Sequence, residues 1–335
     1  MYNLRRLAAS LVLAAGLGLI TACQPVESPQ NRPRQVDYDL GSYFGSLPRD
    51  FPEARKYHAS DGSMLTFNGY RHGRKNPVAL VYLHGLEGHA GWGRELAVRL
   101  ADRGYDVFAL DRRGSGLSKG NNKTITGKPP TFEDLVSDVH SFVKPLKGYY
   151  ESIYLIGNDW GARLALAYGI AYQGQSDGLV LISPRLTSGT GGLTKRMIAM
   201  TGIGSEPAPD AVAAFDGSLQ VSDPDRQREM TTDPLRRQQL DENFILQSKR
   251  MGEFIARYIK RVDQPLQLFL AGNDQIIDRD KVTGLLEKGN QPSLDIQIVT
   301  EARHALPLES PDRVSRDIHH WIRYLEMSRN QGKDR

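Results

Sequence analysis

Three residues of this chain have the types and the order of a nucleophilic hydrolytic centre: Asp159, Asp274 and His304. Asp159 stands in Gly157-Asn158-Asp159-Trp160-Gly161, between an apolar run at 152–156 and an Ala-rich run at 162–172. Glycines at that spacing suit a sharp strand-to-helix turn that holds one side chain exposed above the strand ends. A carboxylate in that position is already charged at neutral pH and needs no base before it attacks. Attack on an ester carbonyl would give a mixed anhydride, a poor intermediate. Attack on a saturated carbon carrying a leaving group gives an ordinary alkyl ester, which water can then cleave. Asp274 follows an apolar run at 266–270, in Asn273-Asp274-Gln275-Ile276-Ile277-Asp278. His304 follows another at 294–299, in Glu301-Ala302-Arg303-His304-Ala305-Leu306. An acid that orients a histidine, and a histidine that moves a proton, would complete the set. Asp278 competes with Asp274 for the place of the acid.

The elements that must position these residues are legible as hydrophobic patterning. Alternation around Asp61-Gly62-Ser63 predicts a hairpin over 56–71. A near-continuous apolar run at 78–83 reads as a buried parallel strand, and 105–110, 152–156, 178–182, 266–270 and 294–299 read as further strands. Between them lie helical patterns at 95–103, 131–147, 162–172, 281–288 and 312–327, the second opened by Thr131 with Asp134 in capping-box spacing. Strands alternating with helices predict an α/β fold with a mainly parallel sheet flanked by helices. In such a sheet, groups that do chemistry gather at the carboxyl ends of strands, and all three candidates follow a strand. The alternation stops over 184–262, which carries Gly189-Thr190-Gly191-Gly192, several prolines and a helical segment at 238–258. That stretch is expected to be an inserted helical cap over the strand ends. Its apolar Phe244, Ile245, Phe254 and Ile255 predict a lipophilic pocket. No internal repeat is visible.

The N-terminal stretch suggests a location. Arg5 and Arg6 precede an apolar run at 11–20, too short to span a bilayer, which needs roughly 20 apolar residues. Ile20-Thr21-Ala22-Cys23 follows, and Cys23 is the chain's one cysteine. This resembles a bacterial lipobox, with residues 1–22 a signal peptide and Cys23 lipidated; a plain signal peptide with an incidental cysteine is the alternative. A single cysteine allows no disulfide within one chain. Residues 24–48 are rich in Pro, Gln, Ser and Arg and read as a tether ending near residue 50, before a hydrolase domain at 51–335. Gln24 after the cysteine resembles lipoproteins sent to the outer membrane, which places the domain in the periplasm of a bacterial envelope. The 335 residues carry 43 Lys and Arg against 39 Asp and Glu, a net charge of +4. No basic run interleaved with aromatics appears, so nucleic acid is not an expected partner. The expected partners are a lipophilic small-molecule substrate and the bilayer reached through Cys23. A monomer is expected, with no metal and no cofactor.

Two families of the α/β-hydrolase superfamily meet in these motifs. Residues 57–325 resemble the monoacylglycerol lipase and lysophospholipase group, which includes serine aminopeptidase S33-like proteins. The resemblance rests on His84-Gly85-Leu86-Glu87-Gly88-His89, Asp111-Arg112-Arg113-Gly114-Ser115-Gly116-Leu117-Ser118, Thr131-Phe132-Glu133-Asp134 and Thr232-Asp233-Pro234-Leu235. That group has serine where this chain has Asp159. Gly157-Asn158-Asp159-Trp160-Gly161 is instead similar to the elbow of epoxide hydrolases and haloalkane dehalogenases. Those enzymes usually carry proline soon after His-Gly, where this chain has Leu86-Glu87-Gly88. Epoxide hydrolases also activate the ring oxygen with cap tyrosines, and Tyr258 is the one tyrosine within 184–262. The resemblance implies an oxyanion hole from the backbone N–H groups of Leu86 and Trp160, and a substrate pocket at His84, Gly85, Trp160 and Tyr258. The Trp160 indole N–H is expected either to meet a leaving halide or to pack under the cap. Three functions stand open. The first is hydrolysis of an epoxide or alkyl halide through an ester of Asp159. The second is lipase-like ester hydrolysis with Asp159 as a base. The third is a catalytically inactive lipid-anchored binding protein.

Overall fold

A computed structural model of the chain describes residues 54–71, 77–121, 123–186, 216–237 and 240–333. The expected signal peptide at 1–22, Cys23 with its tether, and the glycine-rich stretch at 189–192 lie outside the described residues.

Eight strands form one sheet: β1 (Arg55–His58), β2 (Met64–Tyr70), β3 (Val78–Leu83), β4 (Asp106–Leu110), β5 (Ser152–Asn158), β6 (Gly178–Ile182), β7 (Leu266–Ala271) and β8 (Leu294–Val299). Their spatial order is β1-β2-β4-β3-β5-β6-β7-β8. The β1–β2 hairpin and the β2–β4 pair are antiparallel, and every later pair is parallel. The interior strands are largely apolar because both of their faces are covered. In β3, Ala79, Val81 and Leu83 enter one core while Val78, Leu80 and Tyr82 enter the other. Strand β5 divides the same way, with Ile153 and Leu155 against Tyr154 and Ile156. Burying each such aliphatic side chain contributes on the order of 1.5–3 kcal/mol.

Helices α1 (Arg94–Asp102) and α9 (Pro311–Lys333) cover one face; α2 (Phe132–Leu146) and α3 (Trp160–Ala171) cover the other. Thr131 caps α2 through the reciprocal box with Asp134 that its spacing predicts. Helix α3 starts at Trp160, two residues earlier than its Ala-rich run suggests, and every residue from Trp160 to Ile170 is buried. Its pattern has no polar stripe because it is enclosed all round. Gly161 allows the helix to sit on β3: a Cβ there would lie 2.1 Å from the Leu83 carbonyl oxygen.

Among the described residues, the 184–262 insertion carries no strand and is helical: α4 (Gly217–Gln220), α5 (Pro224–Thr232) and α6 (Glu242–Tyr258). Helix α6 begins at Glu242 rather than near 238, because the Asp241 side chain accepts the N–H of Phe244 and caps the helix there. After β7 and β8 come α7 (Arg279–Leu286) and the one-turn α8 (Leu306–Glu309), too short to show in the sequence periodicity.

Candidate active site

The three sequence candidates meet at the carboxyl ends of β5, β7 and β8. Asp159 occupies the turn between β5 and α3 with φ 52° and ψ −114°, a strained backbone for a residue with a side chain. Two tertiary hydrogen bonds hold the turn: the Asp159 N–H donates to Ile182 O at 2.8 Å, and Asp159 O accepts the N–H of Arg185 at 3.1 Å. Glycine at 85 lets the preceding loop close on the carboxylate, since a Cβ there would stand 3.0 Å from Asp159 Oδ2.

The two oxygens of Asp159 have different surroundings. Oδ2 accepts the backbone N–H of Leu86 at 2.8 Å, one of the two expected oxyanion donors. Oδ1 lies 3.1 Å from His304 Nε2 and accepts Arg185 Nε at 2.7 Å. His304 Nδ1 lies 2.8 Å from Asp274 Oδ2, and Asp274 is fixed by the N–H groups of Ile276 and Ile277. This decides between the two candidate acids. Asp278 is a half-buried N-cap, accepting the N–H of Lys281 at the start of α7.

The charges follow from this packing. Burial pushes the Asp159 carboxyl up, but the Arg185 guanidinium and His304 outweigh it and hold the group well below the usual carboxylate range. Burial alone would strip the proton from His304; Asp274 and Asp159 reverse that and push the ring up to about 9. Both ring nitrogens face carboxylate oxygens, so the imidazolium is also the form that geometry favours. His304 Nε2 is not aligned on Asp159 Oδ1 and makes no directed hydrogen bond, although it is fully enclosed.

Two expected pocket residues sit beside Asp159. His84 and Gly85 line a cavity of about 20 Å³ together with Asp159, Glu87 and Gln220, room for one water molecule. His84 is a structural group there. Its Nδ1 lies 2.8 Å from Gly85 O and its Nε2 accepts the N–H of Arg112, while burial and Arg112 push its pKa well below 6.5. A second cavity of about 740 Å³ opens on the other side of Leu86 and Trp160, under α6, walled by Leu240, Phe244, Ile245 and Leu285. Lys249, Glu253, Lys281 and Lys288 also line it, and neither Asp159 nor His304 belongs to its lining.

One open alternative is settled and one expectation is corrected. The Trp160 indole donates to Ser248 Oγ of α6 at 2.9 Å and its ring packs on Phe244 and Arg112, so it anchors the cap and offers no donor to a halide. Tyr258 lines neither cavity. It stands fourteen residues after Phe244 on α6, about 21 Å along the axis at 1.5 Å per residue, and is 36% exposed beside Phe254 and Arg261.

Arg185 is the site residue that sequence reading missed. Ser183, with φ 43°, turns the chain after β6 and brings Arg185 back onto Asp159. Arg163 Nε donates to the Arg185 carbonyl and Arg163 Nη1 to Ser248 Oγ, so a chain of hydrogen bonds runs from the cap helix to the loop that holds the guanidinium. Arginine three residues beyond a strand end was the only available sign. Nothing in the sequence said that a positive φ would fold it inward.

The comparisons with known proteins agree with this architecture. Residues 75–311 match the model of the family described as serine aminopeptidase, S33. The chain is 25% identical to a human monoglyceride lipase over 289 residues, covering 83% of this chain and 94% of that one. Over 106 residues it is 35% identical to epoxide hydrolase B of Mycobacterium tuberculosis, a match that covers 31% of this chain and 28% of that one. Its fold superposes on a soluble variant of monoglyceride lipase from Saccharomyces cerevisiae with a TM-score of 0.65, at 16% identity, over 84% of this chain and 97% of the other. The chain therefore belongs to the serine aminopeptidase S33 family and is a hydrolase of the α/β fold.

Proposed function

We propose that this hydrolase acts on a lipophilic small molecule, an epoxide or alkyl halide, through a covalent alkyl ester of Asp159. The observation that carries the reading is the division of labour between the two Asp159 oxygens. Oδ2 already occupies the oxyanion site at Leu86 N–H, leaving Oδ1 as the attacking atom on the side of His304. When Oδ1 bonds to carbon, the Asp159 charge disappears. His304 then loses one of the two anions that hold its proton, and its pKa falls towards a value suited to a base. In the second step Nε2 takes a proton from water, and the water oxygen adds to Cγ. The electron pair is pushed onto Oδ2, where the Leu86 N–H, joined by that of Trp160, stabilises it. On collapse the Cγ–Oδ1 bond breaks and the leaving oxygen takes the proton from Nε2; the proton of the water-derived hydroxyl then passes to Nε2, which restores the carboxylate and the imidazolium. One such donor is worth roughly 3 kcal/mol of barrier.

Lipase-like chemistry with Asp159 as a base is the weaker reading. A carboxylate held far below its usual pKa is a poor base, and His304 already carries a proton. We place the enzyme on a bacterial envelope membrane through lipidated Cys23, with the cap cavity taking the apolar part of the substrate. A single turnover with excess enzyme in heavy-oxygen water tests the nucleophile. Label should enter the Asp159 carboxylate and be absent from the first product. Label directly in that product would replace this reading with water attack on the substrate itself.

A further inference from the structure

We propose that the loop after β4 is a docking surface for an anionic lipid bilayer, and that it turns the catalytic edge of the sheet towards the membrane. The proposal concerns where that edge faces and stands apart from the chemistry at Asp159.

Charge and exposure coincide in this loop. Residues 112–132 carry two arginines, three lysines and no acid. Arg112 and Arg113 are buried. Lys119, Lys123 and Lys128 are exposed, and none of the three ammonium groups has an ion pair among the described residues. The same loop exposes two large aliphatic side chains, Leu117 at 55% and Ile125 at 64%. Apolar side chains held in water beside lysines suit a surface that is anionic at its head groups and apolar just below them. A soluble polyanion would engage the lysines and leave Leu117 and Ile125 in water.

The loop is bonded so as to hold these groups out. The Leu117 N–H donates to Asp111 Oδ2 at 2.9 Å, and Ser118 Oγ accepts the N–H of Thr66 at 2.9 Å. Residues Thr124 to Gly127 form a tight turn, closed by the Gly127 N–H on Thr124 O at 2.8 Å with Gly127 at φ 81°, and Ile125 stands within it. The Ile125 N–H donates to Asp61 Oδ2 at 3.0 Å, while the Arg113 guanidinium donates to Asp61, Asp138 and the Lys123 carbonyl. Both apolar segments are therefore tied to the β1–β2 hairpin, at Asp61 and at Thr66. Their place in the fold gives the contact a direction. Strand β4 runs parallel to β3, β5, β7 and β8, so the loop leaves the sheet at the edge where Asp159, Asp274 and His304 gather. A bilayer seated on the loop would face the end of the molecule at which a lipophilic substrate reacts.

The test uses the full chain with Cys23→Ser, in which Ile125→Cys or Leu117→Cys supplies the one thiol and carries the polarity-sensitive fluorophore acrylodan. Vesicles of phosphatidylcholine with phosphatidylglycerol should shift the emission of either label to the blue, and vesicles of phosphatidylcholine alone should not. High salt should reduce the shift. Combined Lys119→Glu, Lys123→Glu and Lys128→Glu should abolish it, each lysine contributing about fivefold to affinity near an anionic surface. A label at Tyr324→Cys is the control. Tyr324 is 68% exposed on α9, whose Arg329 reaches Ser152 at the amino end of β5, the opposite edge of the sheet. That label should not shift. An unshifted label at both 117 and 125, an equal shift at Tyr324→Cys or with phosphatidylcholine alone, or a shift that survives the charge reversal would overturn the proposal. An equal shift with soluble polyglutamate in place of vesicles would overturn the bilayer as the partner.

Discussion

Arg185 offers the sharpest test of how this site is held together. Its Nε lies 2.7 Å from Asp159 Oδ1, with the two side chains 2% and 6% exposed. Arg185→Met keeps the bulk of the side chain but leaves a buried carboxylate without its strongest counter-charge. Removing one partner of a buried ion pair costs about 3–5 kcal/mol. His304 and the Leu86 N–H remain on the carboxylate, which places the expected loss near the lower end, about 3 kcal/mol. With an unfolding entropy near 2.1 cal/mol/K per residue over residues 54–333, that corresponds to about 5 °C in Tm. The sign with pH follows from the depressed Asp159 pKa. Such a group stabilises the fold above the unfolded carboxylate value of about 3.9 and loses that contribution as pH falls towards its folded value. The penalty should therefore be full at neutral pH. Urea unfolding at pH 7, with equal slopes, gives the measurement, and a double-mutant cycle isolates the pair. In an Asp159→Asn background the same Arg185→Met change should cost at least about 2 kcal/mol less, because no charge is left to strand. A loss under 1 kcal/mol, or an identical loss in both backgrounds, would refute the ion pair as the force that seats Arg185.

Other outcomes follow from the same geometry. Asp274→Asn removes the first of the two anions that raise His304, so the imidazole signal followed by NMR should titrate well below the parent's value of about 9. Because a raised histidine stabilises the fold below its unfolded value and loses that effect as pH rises to its folded one, the parent should lose stability between roughly pH 6.5 and 9, and this slope should flatten in the variant. Asp159→Ser should abolish alkyl displacement and give the lipase-like frame measurable hydrolysis of p-nitrophenyl esters, read spectrophotometrically. Ser248→Ala removes the acceptor of the Trp160 indole, while Arg163 Nη1 keeps the Ser248 carbonyl, an expected loss of about 1–3 kcal/mol in urea unfolding. The native chain made in a bacterium should incorporate labelled palmitate and partition into detergent, and Cys23→Ser should do neither.

Much of the fold could be read directly from the chain, because burial on both faces leaves a mark that needs no partner to interpret. The run at 178–182, buried at every residue, became a strand with those limits, and Thr131 with Asp134 opened α2 as spaced. Local turn chemistry was also legible: glycines at 157 and 161 mark a place where backbone approaches backbone, and so they locate Asp159. The order of Asp159, Asp274 and His304 after their strands sufficed to bring them together, since parallel strands deliver their carboxyl ends to one edge.

What the tertiary structure alone decided is how these groups are charged and which donors remain free. Asp274 and Asp278 are equivalent as letters four positions apart; only the packing of the loop puts one against His304 and leaves the other capping α7. Trp160 could be read as halide ligand or packing, and the partner that settled it, Ser248, lies 88 residues away. Tyr258 looked like a pocket residue by type, but it lines neither cavity and stands partly exposed beside Phe254 and Arg261. Arg185 left almost no trace, because its approach depends on the left-handed backbone at Ser183 and on the Asp159 carbonyl. Hydrophobic period and motif spacing are properties of neighbouring residues, so sequence carries them. Ion pairing and proton occupancy depend on distances between segments remote in the chain and on the water excluded between them, so they exist only once the chain has folded.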